Sequence, residues 1–224
     1  PLLEESGADF EVVGDPRSPE RLGADLNLSA RPVRGITLSA RALFRHSRGL
    51  AVERRDLHFV PATSSFEGPA AVIHDVGGEL AGGGLELASD PVQGLAVRAS
   101  WWVRGAVGGD DVFVDAWAAV PSQGARVTME YVPVEGLDLW MTGAYRGAAR
   151  QREFAAVEAE SAGRYRARVG DALTVDLAVQ KRLWDGRLRV HFGVRNLLGA
   201  EPHYHPAGAT FGPTAILQLQ GILP

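Results

Sequence analysis

Three times this sequence runs Pro-Val-x-Gly-aliphatic, at Pro32-Val33-Arg34-Gly35-Ile36, Pro91-Val92-Gln93-Gly94-Leu95 and Pro133-Val134-Glu135-Gly136-Leu137. Proline presets φ for the first corner of a turn and glycine tolerates the positive φ that closes one, so each copy predicts a short strand reversal. A fourth reversal, at 183–187, uses Asp185-Gly186. Around every reversal the apolar residues alternate. Ile36, Leu38, Ala40, Ala42 and Phe44 oppose Thr37, Ser39, Arg41 and Arg45, while Leu95, Val97, Ala99, Trp101 and Val103 oppose Arg98, Ser100 and Arg104. Leu137, Leu139, Met141 and Tyr145 likewise oppose Asp138, Thr142 and Arg146, and Leu188, Val190, Phe192 and Val194 oppose Arg187, Arg189, His191 and Arg195. A period of two marks strands with one apolar face and one polar, often cationic, face.

The pattern predicts strands at 22–31, 36–45, 80–89, 95–104, 125–132, 137–146, 170–181, 187–195 and 214–222, joined as one antiparallel sheet in sequential order. Between the hairpins lie longer stretches at 46–75, 105–124, 147–168 and 196–213, rich in Gly, Ala, Asp, Arg and His and expected to be irregular. Short and long connections therefore alternate, which puts every short turn at one end. Outer-membrane β-barrels are built that way, with short periplasmic turns and long extracellular loops. Strands of about nine to eleven residues, tilted about 45°, cross the hydrocarbon layer. The expected fold is an all-β, antiparallel up-and-down transmembrane β-barrel, here a partial open barrel of about nine strands. A soluble carbohydrate-binding β-sandwich also alternates, but its strands average about five or six residues and one face would be a dry core.

No apolar run approaches the length a transmembrane helix needs. The mean hydropathy of −0.04 fits a barrel, in which only alternate residues meet lipid. A net charge of −4 gives no basic excess for nucleic acid, so none is expected as a partner. With no cysteine, disulfides, thiolate metal sites and cysteine nucleophiles are excluded. The start at Pro1-Leu2-Leu3-Glu4-Glu5 has no basic, apolar leader, and the chain reads as a piece of something longer.

Three further segments resemble a known family. Phe10-Glu11-Val12-Val13-Gly14-Asp15-Pro16-Arg17-Ser18-Pro19-Glu20 resembles the Gly-Asn-Pro-x-Leu-x-Pro-Glu lead-in to a mid-barrel strand of TonB-dependent receptors. The run from Val76 to Leu87, with Gly82-Gly83-Gly84-Leu85-Glu86, is similar to a later strand of that family. Val194-Arg195-Asn196-Leu197-Leu198-Gly199, with Tyr204 behind it, resembles the Asn-Leu-Leu motif before the last extracellular loop and closing strand. The end at Gly221-Ile222-Leu223-Pro224 departs from the aromatic finish common in such barrels. The resemblance spans roughly 10–223 and implies that residues 1–224 are the C-terminal portion of a barrel of about 22 strands, without the plug domain or the earlier strands. It implies energised uptake of a siderophore, cobalamin or similar nutrient across the outer membrane of a Gram-negative bacterium. The implied partners are outer-membrane lipid, the TonB complex acting through the missing N-terminal plug region, and a small nutrient ligand such as a metal chelate. A passive porin-like or adhesin barrel without a plug is the alternative.

Eight arginines share the inward register: Arg41, Arg45, Arg98, Arg104, Arg126, Arg146, Arg189 and Arg195, beside Asp25, Glu86, Glu130, Asp138 and Asp176. They predict either guidance of an anionic ligand or the ion pairing that any polar lumen needs. The residues expected to face ligand are Arg45, Arg104, Arg146 and Arg195, with His203, Tyr204 and His205 in the last long loop. Two histidines alone fall short of a metal site, and Asp110-Asp111 with Asp115 lacks calcium-loop spacing, so a solvated loop is expected there. Trp101, Trp117, Trp140, Tyr131, Trp184 and Tyr145 are candidates for a ligand platform or an interfacial belt, the belt being favoured for Trp184 and Tyr145. Gly82-Gly83-Gly84 is no phosphate loop, since no Gly-Lys-Ser/Thr follows. No catalytic pattern, cofactor or metal is read.

Overall fold

The alternating segments form nine long strands. In chain order they are β1 (Glu20–Val33), β2 (Ile36–Arg54), β3 (Val72–Val92), β4 (Leu95–Gly109), β5 (Gln123–Val134), β6 (Leu137–Arg146), β7 (Ala172–Leu183), β8 (Leu188–Arg195) and β9 (Thr214–Gly221). The computed structural model describes residues 11–13, 20–54, 57–68, 72–200, 206 and 210–221. Each long strand pairs with the next, always antiparallel, in one up-and-down sheet that stays open between β1 and β9. Off this path, Glu11–Val13 lies parallel to Val72–His74.

The Pro-Val-x-Gly repeat has a different local geometry from the one its composition suggests. The reversals are the two residues x and Gly, and Gly35, Gly94 and Gly136 take φ values of 81°, 80° and 76°. The prolines are not turn corners. Pro32, Pro91 and Pro133 sit in register shifts just before the turns, between Ala30 and Val33, Ser89 and Val92, and Tyr131 and Val134. A bulge tolerates proline because one residue there is already out of the ladder. The carbonyl of each turn glycine accepts a hydrogen bond from the following hairpin, Asp90 N–H to Gly35 at 2.9 Å, Val132 N–H to Gly94 at 2.7 Å and Arg182 N–H to Gly136 at 2.7 Å. The repeat therefore stitches adjacent hairpins together at the short-turn end. The fourth reversal spans Trp184–Arg187, with positive φ at Trp184, Asp185 and Gly186.

Register keeps two faces distinct across all nine strands. One cross-strand row carries Leu38, Leu87, Ala99, Val127, Gly143 and Val175, and neighbouring rows on that face carry Leu26, Leu85, Trp101, Leu177, Phe192 and Leu217. Most of these large side chains are exposed, Leu26 at 57%, Leu85 at 57% and Leu217 at 68%. An apolar face this broad has to be covered by something apolar.

Three of the stretches expected to be irregular are ordered. β2 and β3 stay paired well beyond the expected strand ends, through a bulge at Gly49, so that Leu50 opposes Val76 and Val52 opposes His74. The intervening connection adds a hairpin, His58–Val60 with Ser65–Glu67. The β4–β5 connection carries helix α1 (Asp111–Ala118). The β6–β7 connection carries a ribbon, Ala149–Arg150 with Arg168–Val169, a 3-10 turn at Arg152–Phe154 and helix α2 (Ala155–Glu160). The hairpin and the β6–β7 connection share a core at the end opposite the short turns. Phe154, Val157 and Ala167 are buried under Leu57, Phe59, Phe66 and Tyr165. Glu160 fastens the seam, accepting from the Phe59 N–H at 2.7 Å and meeting His58 Nδ1 at 2.8 Å.

Candidate functional site

The polar face is the second parity of the same strands. One row places Asn27, Arg41, Gly84, Trp102, Gly124 and Arg146 side by side, and the row nearer the long connections adds Leu43, Gly82 and Arg104. Glycine leaves room for its neighbours here. A Cβ on Gly124 would come within 2.6 Å of the Trp102 indole, so that ring lies across a bare stretch of β5. Over Gly83 and Gly84 the face is hollowed into a recess of about 610 Å³, bordered by Arg41, Leu43, Glu86, Trp102 and Arg104.

The expected ligand-facing arginines occupy this face with different partners. Arg45 pairs with Asp25 and also donates to the carbonyls of Ala24 at 3.3 Å and Phe44 at 3.1 Å, while Arg41 reaches the same carboxylate at 3.5 Å. That cluster is cross-strand ion pairing. Arg104 lies over two indoles, 4.9 Å from the Trp102 ring and 5.9 Å from Trp117 of α1. Arg146 donates to the Gly170 carbonyl at 3.3 Å. Arg195 ends β8 opposite Thr214 and is exposed. Register brings Arg104 and Arg146 to one region, whereas Arg195 stands apart near the root of the last long connection. His203, Tyr204 and His205 lie outside the described residues.

The acidic segment is not a solvated loop. Asp110 caps α1, one carboxylate oxygen accepting from the Phe113 N–H and the other from the Gly77 N–H, both at 2.9 Å. This uses the donors that a helix start leaves unpaired. Phe113 then fills the space over Gly78, where a Cβ would approach its ring to 2.2 Å. Asp115 bonds Arg152, tying α1 to the 3-10 turn of the next long connection. Among the described residues no group of three His, Asp or Glu is placed to hold a metal ion.

Of the aromatic candidates, Trp101, Tyr131 and Tyr145 fall on the apolar face, Trp140 falls on the polar face 6.2 Å from the His191 ring, and Trp184 is 72% exposed in its turn. The residues that sequence reasoning passed over are Trp102, Arg150 and Arg168. Arg104, Trp117, Arg150 and Arg168 line a second cavity, of about 890 Å³, between α1 and the 149–169 ribbon. Trp102 was readable by parity alone. The ribbon was not, because two-residue strands carry no period.

The chain shares its fold with solved outer-membrane proteins. It is similar to the FrpB iron transporter from Neisseria meningitidis (TM-score 0.63, 12% identity, covering 94% of this chain and 32% of that one). It is also similar to the ferric-catecholate import receptor Fiu from E. coli K12 (0.61, 12%, 90% and 27%) and the ferric yersiniabactin uptake receptor FyuA from Yersinia pestis (0.59, 14%, 90% and 28%). The fold is that of a part of the TonB-dependent receptor barrel. The chain spans about a third or less of the length of these structures. No family model matches the sequence, and no curated protein matches it.

Proposed function

We propose that this chain is the C-terminal part of the barrel of an outer-membrane TonB-dependent transporter, serving energised uptake of a small nutrient of the metal-chelate class. One observation carries the reading: nine strands keep an apolar face and a charged face in register, with all short turns at one end, in the fold of that barrel. Lipid covers the apolar face, the charged face lines the passage, and the folded long connections grip ligand outside the cell. Fiu is a ferric-catecholate import receptor and FyuA a ferric yersiniabactin uptake receptor, which supports this ligand class. The TonB complex acts through a plug region outside these residues, and the chain performs no catalysis.

A chain without cysteine makes the orientation directly testable. In intact cells carrying the full-length protein, an impermeant maleimide should label Ala62→Cys, in the exposed turn between the two strands of the loop hairpin, and spare Gln93→Cys, in a short turn. Labelling of Gln93→Cys alone inverts the topology and removes the gripping role from the long connections. Uptake of radiolabelled ferric chelates should stop in cells lacking TonB. A rate unchanged without TonB would make this a passive barrel.

A further inference from the structure

Arg150 and Arg168 stand directly opposite one another in the ribbon of the β6–β7 connection, so both side chains leave it on the same side. Like charges in that arrangement repel. Both line the 890 Å³ cavity, and Arg104 reaches it from β4. Among the described residues none of the three has an ion-pair partner. The Arg104 Nε is buried with no hydrogen-bond acceptor. Two carboxylates share the wall, Glu158 and Asp171, and Glu158 already accepts from the Ala167 N–H at 3.2 Å. Three arginines thus line one cavity whose local carboxylates form no ion pair with them.

We propose that this cavity binds an oxyanion group, phosphate or carboxylate, of a small ligand, held between Arg104, Arg150 and Arg168. Guanidinium forks match the paired oxygens of such groups, and an anion seated between Arg150 and Arg168 turns their repulsion into joint attraction. Trp117, in the cavity wall and against Arg104, supplies a stacking face. The site rests on the charge and shape of the cavity and not on energised transport, so it stands or fails separately from the uptake reading.

The test is a titration of the full-length protein in detergent with citrate and with inorganic phosphate, against chloride at matched ionic strength. Tryptophan fluorescence and calorimetry are the readouts. Saturable binding of at least one oxyanion is expected, with the fluorescence change lost in Trp117→Phe. The double variant Arg150→Gln/Arg168→Gln should weaken affinity at least about tenfold, since two charge-assisted bonds are removed. Arg34→Gln, exposed in a short turn, should leave it unchanged. Both ribbon arginines are exposed, and circular dichroism of the double variant should match the parent. An equal response to chloride, or equal affinity in the double variant, overturns the site. Saturation by lipopolysaccharide phosphates alone, with citrate and inorganic phosphate silent, also overturns it by making the source a lipid headgroup.

Discussion

Asn196 is a buried polar residue in the left-handed region, with φ at 52°, a conformation asparagine tolerates better than other side-chain-bearing residues. Its Nδ2 donates to the carbonyls of Ala200 at 2.6 Å and Phe211 at 2.7 Å, and its own N–H donates to Asp176 Oδ1 at 2.8 Å. The side chain therefore joins the two ends of the last long connection, and the backbone N–H ties them to β7. Asn196→Ala removes two buried hydrogen bonds and strains the backbone, an expected loss of about 2 kcal/mol or more in denaturant titration of the lipid-embedded protein. Asn196→Gly should recover only the backbone share. A cost below about 0.5 kcal/mol for the alanine variant would show that the loop is held by other contacts. The motif stood out in the sequence, but the carbonyl partners did not, because they lie 4 and 15 positions away at the two ends of an irregular connection.

At the level of elements, the strands were legible and the loop structure was not. Strand faces repeat over eight or more residues, and the bulges fall beside the short turns or in the stretches of β2 and β3 outside the expected spans 36–45 and 80–89, so the period survives them. α1 has eight residues and α2 six, too few turns for periodicity to speak, and burial against distant segments decides them. Phe113 and Trp117, four apart behind the Asp110 cap, were the one local signal for α1. The loop core should behave as a unit. Phe154→Ala removes a ring 2% exposed and should cost that core about 3 kcal/mol or more, so that the 57–67 hairpin exchanges its amide hydrogens faster while the strand centres do not. Global unfolding instead would mean that core and sheet are one cooperative body.

The seam of that core also carries a pH dependence. The hydrogen bond from His58, followed by the Phe59 N–H, holds the Glu160 carboxyl below its ordinary range. A depressed carboxyl contributes stability above its unfolded pKa, about 4.3 for glutamate, and that contribution is lost as pH falls through the lower folded value. Spin labels at Ala62→Cys and Ala159→Cys should therefore report a seam that is closed at neutral pH and loosens only below about pH 4.3. Glu160→Gln should abolish the change. A distance distribution that is constant across that range would remove Glu160 from the seam.

The whole molecule has a depth axis that the sequence could suggest but not scale. Alternation puts Leu139 on the apolar face, and the register puts Val127 on the same one. Height along that face follows from the turns. Val127 is seven residues from the end of β5 at Val134, while Leu139 is only two residues from the start of β6 at Leu137. At about 3.3 Å per residue and a tilt of about 45°, these positions climb about 16 Å and about 5 Å above the short turns. An apolar band about 25 Å tall puts Val127 near its middle and Leu139 at its rim, the level where Trp184 is also exposed. Arginine at the middle must desolvate or drag water inward, whereas at the rim its long side chain reaches the headgroups. Val127→Arg is expected to cost about 2–4 kcal/mol in reversible unfolding from lipid vesicles, and Leu139→Arg about 0–1 kcal/mol. In detergent micelles the gap between the two should shrink. Equal costs in vesicles would break the link between register and depth, and with it the assignment of the apolar face to lipid.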